Sequence, residues 1–417
     1  MKHKQQTLWT KNFTYITIAT FLSIIGGEVM NLPLSLMVFE HTQSTMLSAI
    51  ILICGILPDV LFSVLIAPFI DKGKKKQWIV GLDILMMASY LVMGFWIANH
   101  EFQYLVYVVL SFTLGTISVF YRLAYSAWYP DLIPIGFEQK GYAISGTIYP
   151  LITIVMSPVA TFLYEKISMS YLFFLVAAIS FLSILIESQI QEKDAKNCVD
   201  EKEKSSRYTF GKYKQDIQEG FSYLKKEKGI RNIYTYMAIT NGTSEGTAIA
   251  IQAYYQTNPL LSVTMLGFLK SAEMIGRVLS GFVQYQITIP AKKRYGLTKL
   301  VYIVYQMADM ILLFLPYPFM LLNRFICGGL GTTSATVRET AVQSYLPENI
   351  RARVNALFSA IFSIGGICFQ VFAGVLGEML PYRTVILFMG FISLAAVWIL
   401  IVRPSEENRK VYEAVRE

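Results

Sequence analysis

Apolar stretches near or above the ~20 residues needed to cross the hydrocarbon core of a bilayer recur from one end of this chain to the other, and nothing else in the sequence constrains the fold so strongly. Twelve are legible. Six run from Phe13 to Phe39, Met46 to Ile70, Trp78 to Ala98, Tyr104 to Trp128, Gly141 to Tyr164 and Tyr171 to Ser188. Six more run from Asn232 to Gln256, Val263 to Ile287, Leu297 to Leu315, Phe319 to Ala341, Val354 to Gly377 and Thr384 to Val402. Lipid offers a bare backbone no hydrogen-bond partner, so segments this apolar must be helices unless they close as a barrel, whose strands would be shorter and would alternate. Charged residues make up 15 % of the 417, against about a quarter in a soluble chain. The first stretch is too long for a signal-peptide core and lacks a small-residue cleavage site, so it is expected to remain as a membrane helix.

Lys and Arg set the orientation, because short basic loops stay on the cytoplasmic side. The N-terminus, the Lys72 to Lys76 loop, Lys140, the central polar stretch, the Lys292 to Lys299 loop, Arg351 with Arg353, and the C-terminal tail all fall on one side. Only Lys166 and Arg383 fall on the other. Both termini are therefore expected in the cytoplasm, and the net charge of +8 is positive-inside loops rather than a nucleic-acid surface. Cys54, Cys327 and Cys368 lie in apolar spans and Cys198 in a cytoplasmic loop, so no disulfide framework is implied.

The one long polar stretch, Gln189 to Arg231, divides the spans six and six. The expected organisation is an N-terminal bundle over residues 1–188, a cytoplasmic linker over 189–231, and a C-terminal bundle with a short cytoplasmic tail over 232–417. Ile217, Phe221 and Leu224 recur at helical spacing among Lys and Glu, which predicts an amphipathic linker helix, either on the inner membrane surface or solvated. The halves repeat each other. Leu114-Gly-Thr-Ile-Ser-Val-Phe-Tyr-Arg122 in span four aligns with Leu330-Gly-Thr-Thr-Ser-Ala-Thr-Val-Arg338 in span ten, with five of nine positions identical. The same register brings Tyr129 to Tyr345, Glu28 to Glu245, and Asp59 to Glu273.

With these features the chain resembles the major facilitator superfamily, over nearly its whole length. Ala67-Pro-Phe-Ile-Asp71-Lys72-Gly-Lys-Lys75-Lys76 is similar to the superfamily's loop signature after span two, and Pro347-Glu348-Asn-Ile-Arg351-Ala-Arg353 to the motif that opens the loop after span ten. Ser157-Pro-Val-Ala160-Thr-Phe-Leu-Tyr164 and Gln218-Glu-Gly-Phe-Ser-Tyr-Leu224 most resemble the macrolide-efflux branch of drug exporters. The resemblance implies an all-α membrane protein of twelve transmembrane helices, in two pseudo-symmetric six-helix bundles that rock about a central cavity. It implies that Asp71, Lys72, Lys75 and Lys76 form a cytoplasmic latch, with Glu348, Arg351 and Arg353 as the counterpart, and that Asp83 near the latch is structural. Two positions depart from the family. Phe112 stands where proton-linked exporters carry an arginine, and only Ser157-Pro158 remains of the antiporter signature in span five.

Charges inside a membrane are functional candidates by default, since each costs roughly 2.5 to 3.5 kcal/mol on insertion scales. Glu28 and Glu245 lie deep in spans one and seven, where a buried carboxylate takes up a proton or binds a cationic group. Asp59, after Pro58, has no partner evident in sequence and ranks with Glu28 as a proton site. Arg122 and Arg338, nearer the inner ends of spans four and ten, are expected to brace the inner gate. Lys270, Glu273 and Arg277 share one face of span eight, as a self-paired ladder or a coupling element. Asp309 in span nine is given no role. Gly276 with Ser280, and Ala373 with Gly377, have the spacing of close helix contacts.

No metal-ligand cluster, nucleophile elbow or phosphate loop stands out, so neither an enzyme, a cofactor nor a metal is expected. The expected function is secondary active export of hydrophobic or amphipathic compounds across the plasma membrane, coupled to protons, by a monomer in the lipid bilayer. The same scaffold also suits a polar metabolite such as a sugar, peptide or siderophore, and a non-transporting membrane receptor is the alternative from another class.

Overall fold

A computed structural model describes residues 7–71, 74–191, 210–287 and 289–415. Among these residues there are fourteen α-helices and no strand. Six lie in the first half: α1 (Lys11–Thr42), α2 (Thr45–Asp71), α3 (Lys75–Asn99), α4 (Tyr104–Leu132), α5 (Glu138–Lys166) and α6 (Met169–Ser188). A linker helix, α7 (Phe210–Lys226), precedes α8 (Lys228–Thr257), α9 (Val263–Gln286), α10 (Ala291–Ile311), α11 (Tyr317–Tyr345), α12 (Glu348–Met379), α13 (Tyr382–Ala396) and α14 (Ser405–Tyr412). Every one of the twelve expected spans is a helix. Among the described residues, nine helical stretches are long and apolar enough to cross a membrane by length and composition. Helices α8, α9 and α11 are the long ones that fall short: α8 and α11 carry many Thr, Ser, Asn, Gln and Gly residues, and α9 carries Lys270, Glu273 and Arg277. Phe95, Leu105, Phe282 and Trp398, each more than half exposed, are apolar surface of the kind that hydrocarbon covers.

Proline sets the starts of the later helices. Pro290, Pro316, Pro347, Pro381 and Pro404 stand immediately before α10, α11, α12, α13 and α14. With φ already fixed and no N–H to satisfy, proline costs a helix entrance little and prevents the preceding chain from continuing the helix. Span nine accordingly ends in a 3₁₀ turn, Leu312–Phe314, ahead of Pro316. Helices α1 and α2 are joined by Gln43 and Ser44 alone, a turn tight enough to hold Gln43 at φ 52°.

The chain divides into two compact units. One comprises Met1–His41 and Ile50–Arg207, the other Thr42–Ala49 and Tyr208–Glu417. In the first unit, Phe13, Ile16, Ile79, Val119, Trp128 and Tyr129 form the buried core at the loop end of α1, α3 and α4. In the second, the core gathers Ile233, Tyr236, Tyr302, Val337, Ile401 and Tyr412.

The expected linker helix and the C-terminal tail both fold as parts of the second unit. Linker helix α7 docks on α12, where Gly220 lies under Leu357, Arg353 pairs with Glu219, and Leu224 is buried. Phe221 stays exposed. The tail forms α14, whose Tyr412 hydroxyl meets Tyr302 at 2.9 Å. A π-helical stretch, Val397–Val402, ends α13, and Asn408 donates to the Leu400 and Ile401 carbonyls there, at 2.7 and 3.0 Å. Those carbonyls face a side-chain donor instead of the next helical turn, which is why the tail folds back.

Candidate functional site

Each unit holds one of the two repeat-related glutamates on an equivalent pair of helices. In the first, Glu28 of α1 is 4 % exposed and accepts a hydrogen bond from the Ser157 hydroxyl of α5 at 3.3 Å. In the second, Glu245 of α8 accepts from the Gln370 amide of α12 at 3.1 Å. Helix α12 comes close to α8 because glycine leaves room for it. A Cβ on Gly242 would lie 2.5 Å from the Gly365 carbonyl, and one on Gly365 would lie 2.5 Å from that of Ala238. The repeat visible in sequence thus carries through to geometry: spans one and five, seven and eleven, each bring a neutral donor to an acid, buried at Glu28 and partly buried at Glu245.

The remaining charges are arranged differently from the sequence-based expectation in three places. Asp59 does have a partner, Arg122 of α4, with which it forms an ion pair. The two lie 63 positions apart, and only the register of α2 against α4 brings them together. That register follows from Gly55 and Gly115, since a Cβ on Gly115 would sit 2.2 Å from the Gly55 carbonyl.

The second difference concerns span eight, which is not a self-contained ladder. Glu273 does take Arg277 at 2.7 Å, but Arg324 of α11 also reaches it at 3.9 Å. The third is Asp309, which pairs with the same buried Arg324. Arg324 escaped notice in the sequence, where it is one basic residue near a span's outer end. Its only forecast signal was the unexplained Asp309. Arg338, the repeat mate of Arg122, lies over the Phe358 ring at 5.9 Å and beside the Met237 sulfur. The repeat is therefore broken at this pair.

The cytoplasmic motif residues are held by local partners. Lys75 pairs with Asp131 at 2.8 Å and donates to the Ala127 carbonyl at 2.7 Å, so it ties the head of α3 to the end of α4. Lys76 donates to the Ser188 carbonyl at 2.6 Å. Arg351 donates to the Leu346 carbonyl at 3.0 Å, and Arg353 pairs with Glu219. Tyr345, beyond the end of span ten, donates to Glu227 at 2.8 Å. Burial and that hydrogen bond to a carboxylate push its phenol up to about 12. Lys72 lies outside the described residues, as do the side chains of Asp71 and Glu348. Asp83 is buried in the first unit against Glu187 of α6, a residue that the sequence reading passed over because it closes an apolar span. Among the described residues there is no group of three or more His, Cys, Asp or Glu arranged to hold a metal ion.

Two sets of six spans, each with an acid on its first span, are an architecture found in membrane carriers, and comparison of the sequence decides which. The family model of the Major Facilitator Superfamily matches residues 16–308 and 292–416. The chain belongs to the Major Facilitator Superfamily. Macrolide efflux protein A of Streptococcus pyogenes is 22 % identical over 287 residues, covering 67 % of this chain and 68 % of that protein. Among solved major facilitator structures, a bacterial homolog of the human lysosomal transporter Spinster, inward-facing and unoccupied, aligns with a TM-score of 0.66 at 13 % identity over 96 % of both chains. The nucleoside transporter NupG aligns with a TM-score of 0.67 at 14 % identity, over 94 % of this chain and 99 % of its own. A peptide transporter in complex with alafosfalin aligns at 0.71 and 12 % identity, over 98 % of this chain and 97 % of its own. At these identities the superfamily structures speak for the fold alone, and the chain is a multi-pass major facilitator transporter.

Proposed function

We propose that this transporter exports hydrophobic or amphipathic compounds of macrolide-like character, by alternating access and in exchange for protons. The observation that carries the reading is the similarity to macrolide efflux protein A across two thirds of both chains. A cavity of this fold binds substrate near mid-depth, where its repeats meet. Glu28, Glu245 and Asp59 are then the groups that exchange protons or hold a cationic substrate, with Glu273, Lys270 and Arg277 as the coupling element of the second half. Asp71, Lys72, Lys75, Lys76, Glu348, Arg351 and Arg353 serve the cytoplasmic latch, and Arg122 and Arg338 the inner gate. The protein works in the cell membrane, as a monomer, with both termini inside.

The test is expression in a drug-sensitive host with a panel of macrolides and lipophilic dyes. Intracellular accumulation should fall by several-fold for at least one compound, and macrolide flux in proteoliposomes should release protons in the wild type but not in Glu28→Gln or Asp59→Asn. Accumulation unchanged across the panel rules out drug export, and coupling retained in both variants rules out these proton sites.

A further inference from the structure

The first unit contains a second acidic group that the transport reading does not use. Asp83 of α3 is 4 % exposed and Glu187 of α6 is fully buried. Their carboxyls are near neighbours, with the Ser183 hydroxyl beside that of Asp83. Glu187 accepts the Tyr121 hydroxyl of α4 on Oε1 at 3.1 Å, while its Oε2 and the Asp83 Oδ2 are buried without any donor.

Among the described residues, no basic side chain pairs with either acid. Tyr90 of α3 and Tyr121 and Tyr125 of α4 are the titratable groups that face the pair, and Ser183 of α6 is its hydroxyl neighbour. Ser183 is bound in turn to Ser23 of α1 at 3.3 Å. Lys76, at the head of α3, directs its ammonium to the Ser188 carbonyl. Two neighbouring carboxylates have no donor between them unless one is protonated, and two like charges cannot both persist in a dry site. One shared proton would remove that repulsion and supply the missing donor.

We propose that Asp83 and Glu187 bind one proton between them, as an acid–carboxylate pair buried where α3, α4 and α6 meet. The pair titrates as a unit. It lies toward the loop end that Lys75 and Lys76 mark: Glu187 is the penultimate residue of α6, and Asp83 is eight residues into α3. Loss of the proton leaves two negative charges between α3 and α6, so the packing of this end of the first unit depends on protonation from the cytoplasmic side. This deepens the proton-coupled reading and rests on it for its role in transport, although the binding itself does not.

The experiment therefore needs no transported compound. Infrared difference spectra of the full chain in lipid vesicles, titrated from mildly acidic to alkaline pH, should contain, besides the signals of Glu28, Glu245 and Asp59, a carboxylic-acid carbonyl band worth one further group per chain that disappears reversibly. The band should be missing in Asp83→Asn/Glu187→Gln and kept in the swapped pair Asp83→Glu/Glu187→Asp, which a merely steric role would not distinguish in this way. Should the double amide variant fail to fold, Glu187→Gln alone should remove the band, because Asp83 then accepts from an amide. A wild type with no such band, or a band that survives these amide substitutions, overturns the proposal. Failure of drug export would leave the infrared result standing, so the two readings fail separately.

Discussion

Arg324 is the single residue on which most of the second unit's buried charge depends. It is 6 % exposed and has Asp309 as a direct partner, with Glu273 at 3.9 Å. Glu273 keeps Arg277 if Arg324 is lost, but Asp309, itself 5 % exposed, keeps nothing of opposite charge. Removing one partner of a buried pair is worse than removing both, because the remaining charge stays desolvated. Arg324→Met should therefore destabilise the purified protein by about 3–5 kcal/mol, read as a lower thermal midpoint in detergent. Arg324→Met combined with Asp309→Leu should recover most of that loss. A single variant as stable as the wild type would mean that the Arg324 pair does not hold the second unit together. Asp59 and Arg122 are less enclosed by protein, their side chains being 39 % and 60 % exposed.

Helix pairs in this chain are fixed by glycine where backbones touch. In the second unit a Cβ on Gly276 would lie 2.0 Å from the Phe325 carbonyl, and one on Gly328 2.0 Å from that of Glu273. Ser280 on the same face of α9 donates to the Gly329 carbonyl at 3.0 Å. Gly276→Ala should thus force α9 from α11 and cost about 1–3 kcal/mol, whereas Gly281→Ala, with nothing within 4 Å of its Cβ, should be neutral or gain about 0.5–1 kcal/mol from helix propensity. Equal midpoints for the two would remove the close contact as the cause. The small-residue spacing of Gly276 and Ser280 was readable in the sequence, and so were the twelve helices, because span length and apolar periodicity are local properties. What was not readable is which charges meet. Asp59 with Arg122, Asp309 with Arg324, and Asp83 with Glu187 all join different helices, and their meeting depends on relative register and rotation, which no window of sequence contains. Glu187 was missed for the same reason: as the last acid of an apolar span it looks like an interfacial charge, and only the placement of α6 against α3 buries it.

At the scale of the molecule, the basic clusters and the loop contacts mark the same ends of the spans within each unit. The Lys75 contact with Asp131, the Arg353 pair with Glu219 and the Tyr345 bond to Glu227 all lie at the loop ends that carry the basic clusters. Each ties a span to its neighbour or to the linker helix on that side. At the opposite ends, Glu378 receives the Ser44 hydroxyl at 2.6 Å and the Met46 N–H at 3.0 Å, and so caps the start of α2. Thr45 there donates to the Gly374 carbonyl at 2.8 Å. Basic residues are costly to move across a membrane and acidic ones hardly matter for orientation, so the end bearing Lys75, Lys140 and Arg353 should face the cytoplasm and the end bearing Glu378 should face out. Single cysteines placed at Lys140 and at Glu165, in a chain whose four native cysteines are replaced by serine or alanine, report this directly in intact cells. A membrane-impermeant maleimide should label the Glu165 position and reach the Lys140 position only after permeabilisation. Labelling of both from outside would place α5 otherwise than across the bilayer, and the alternating-access reading would lose its frame.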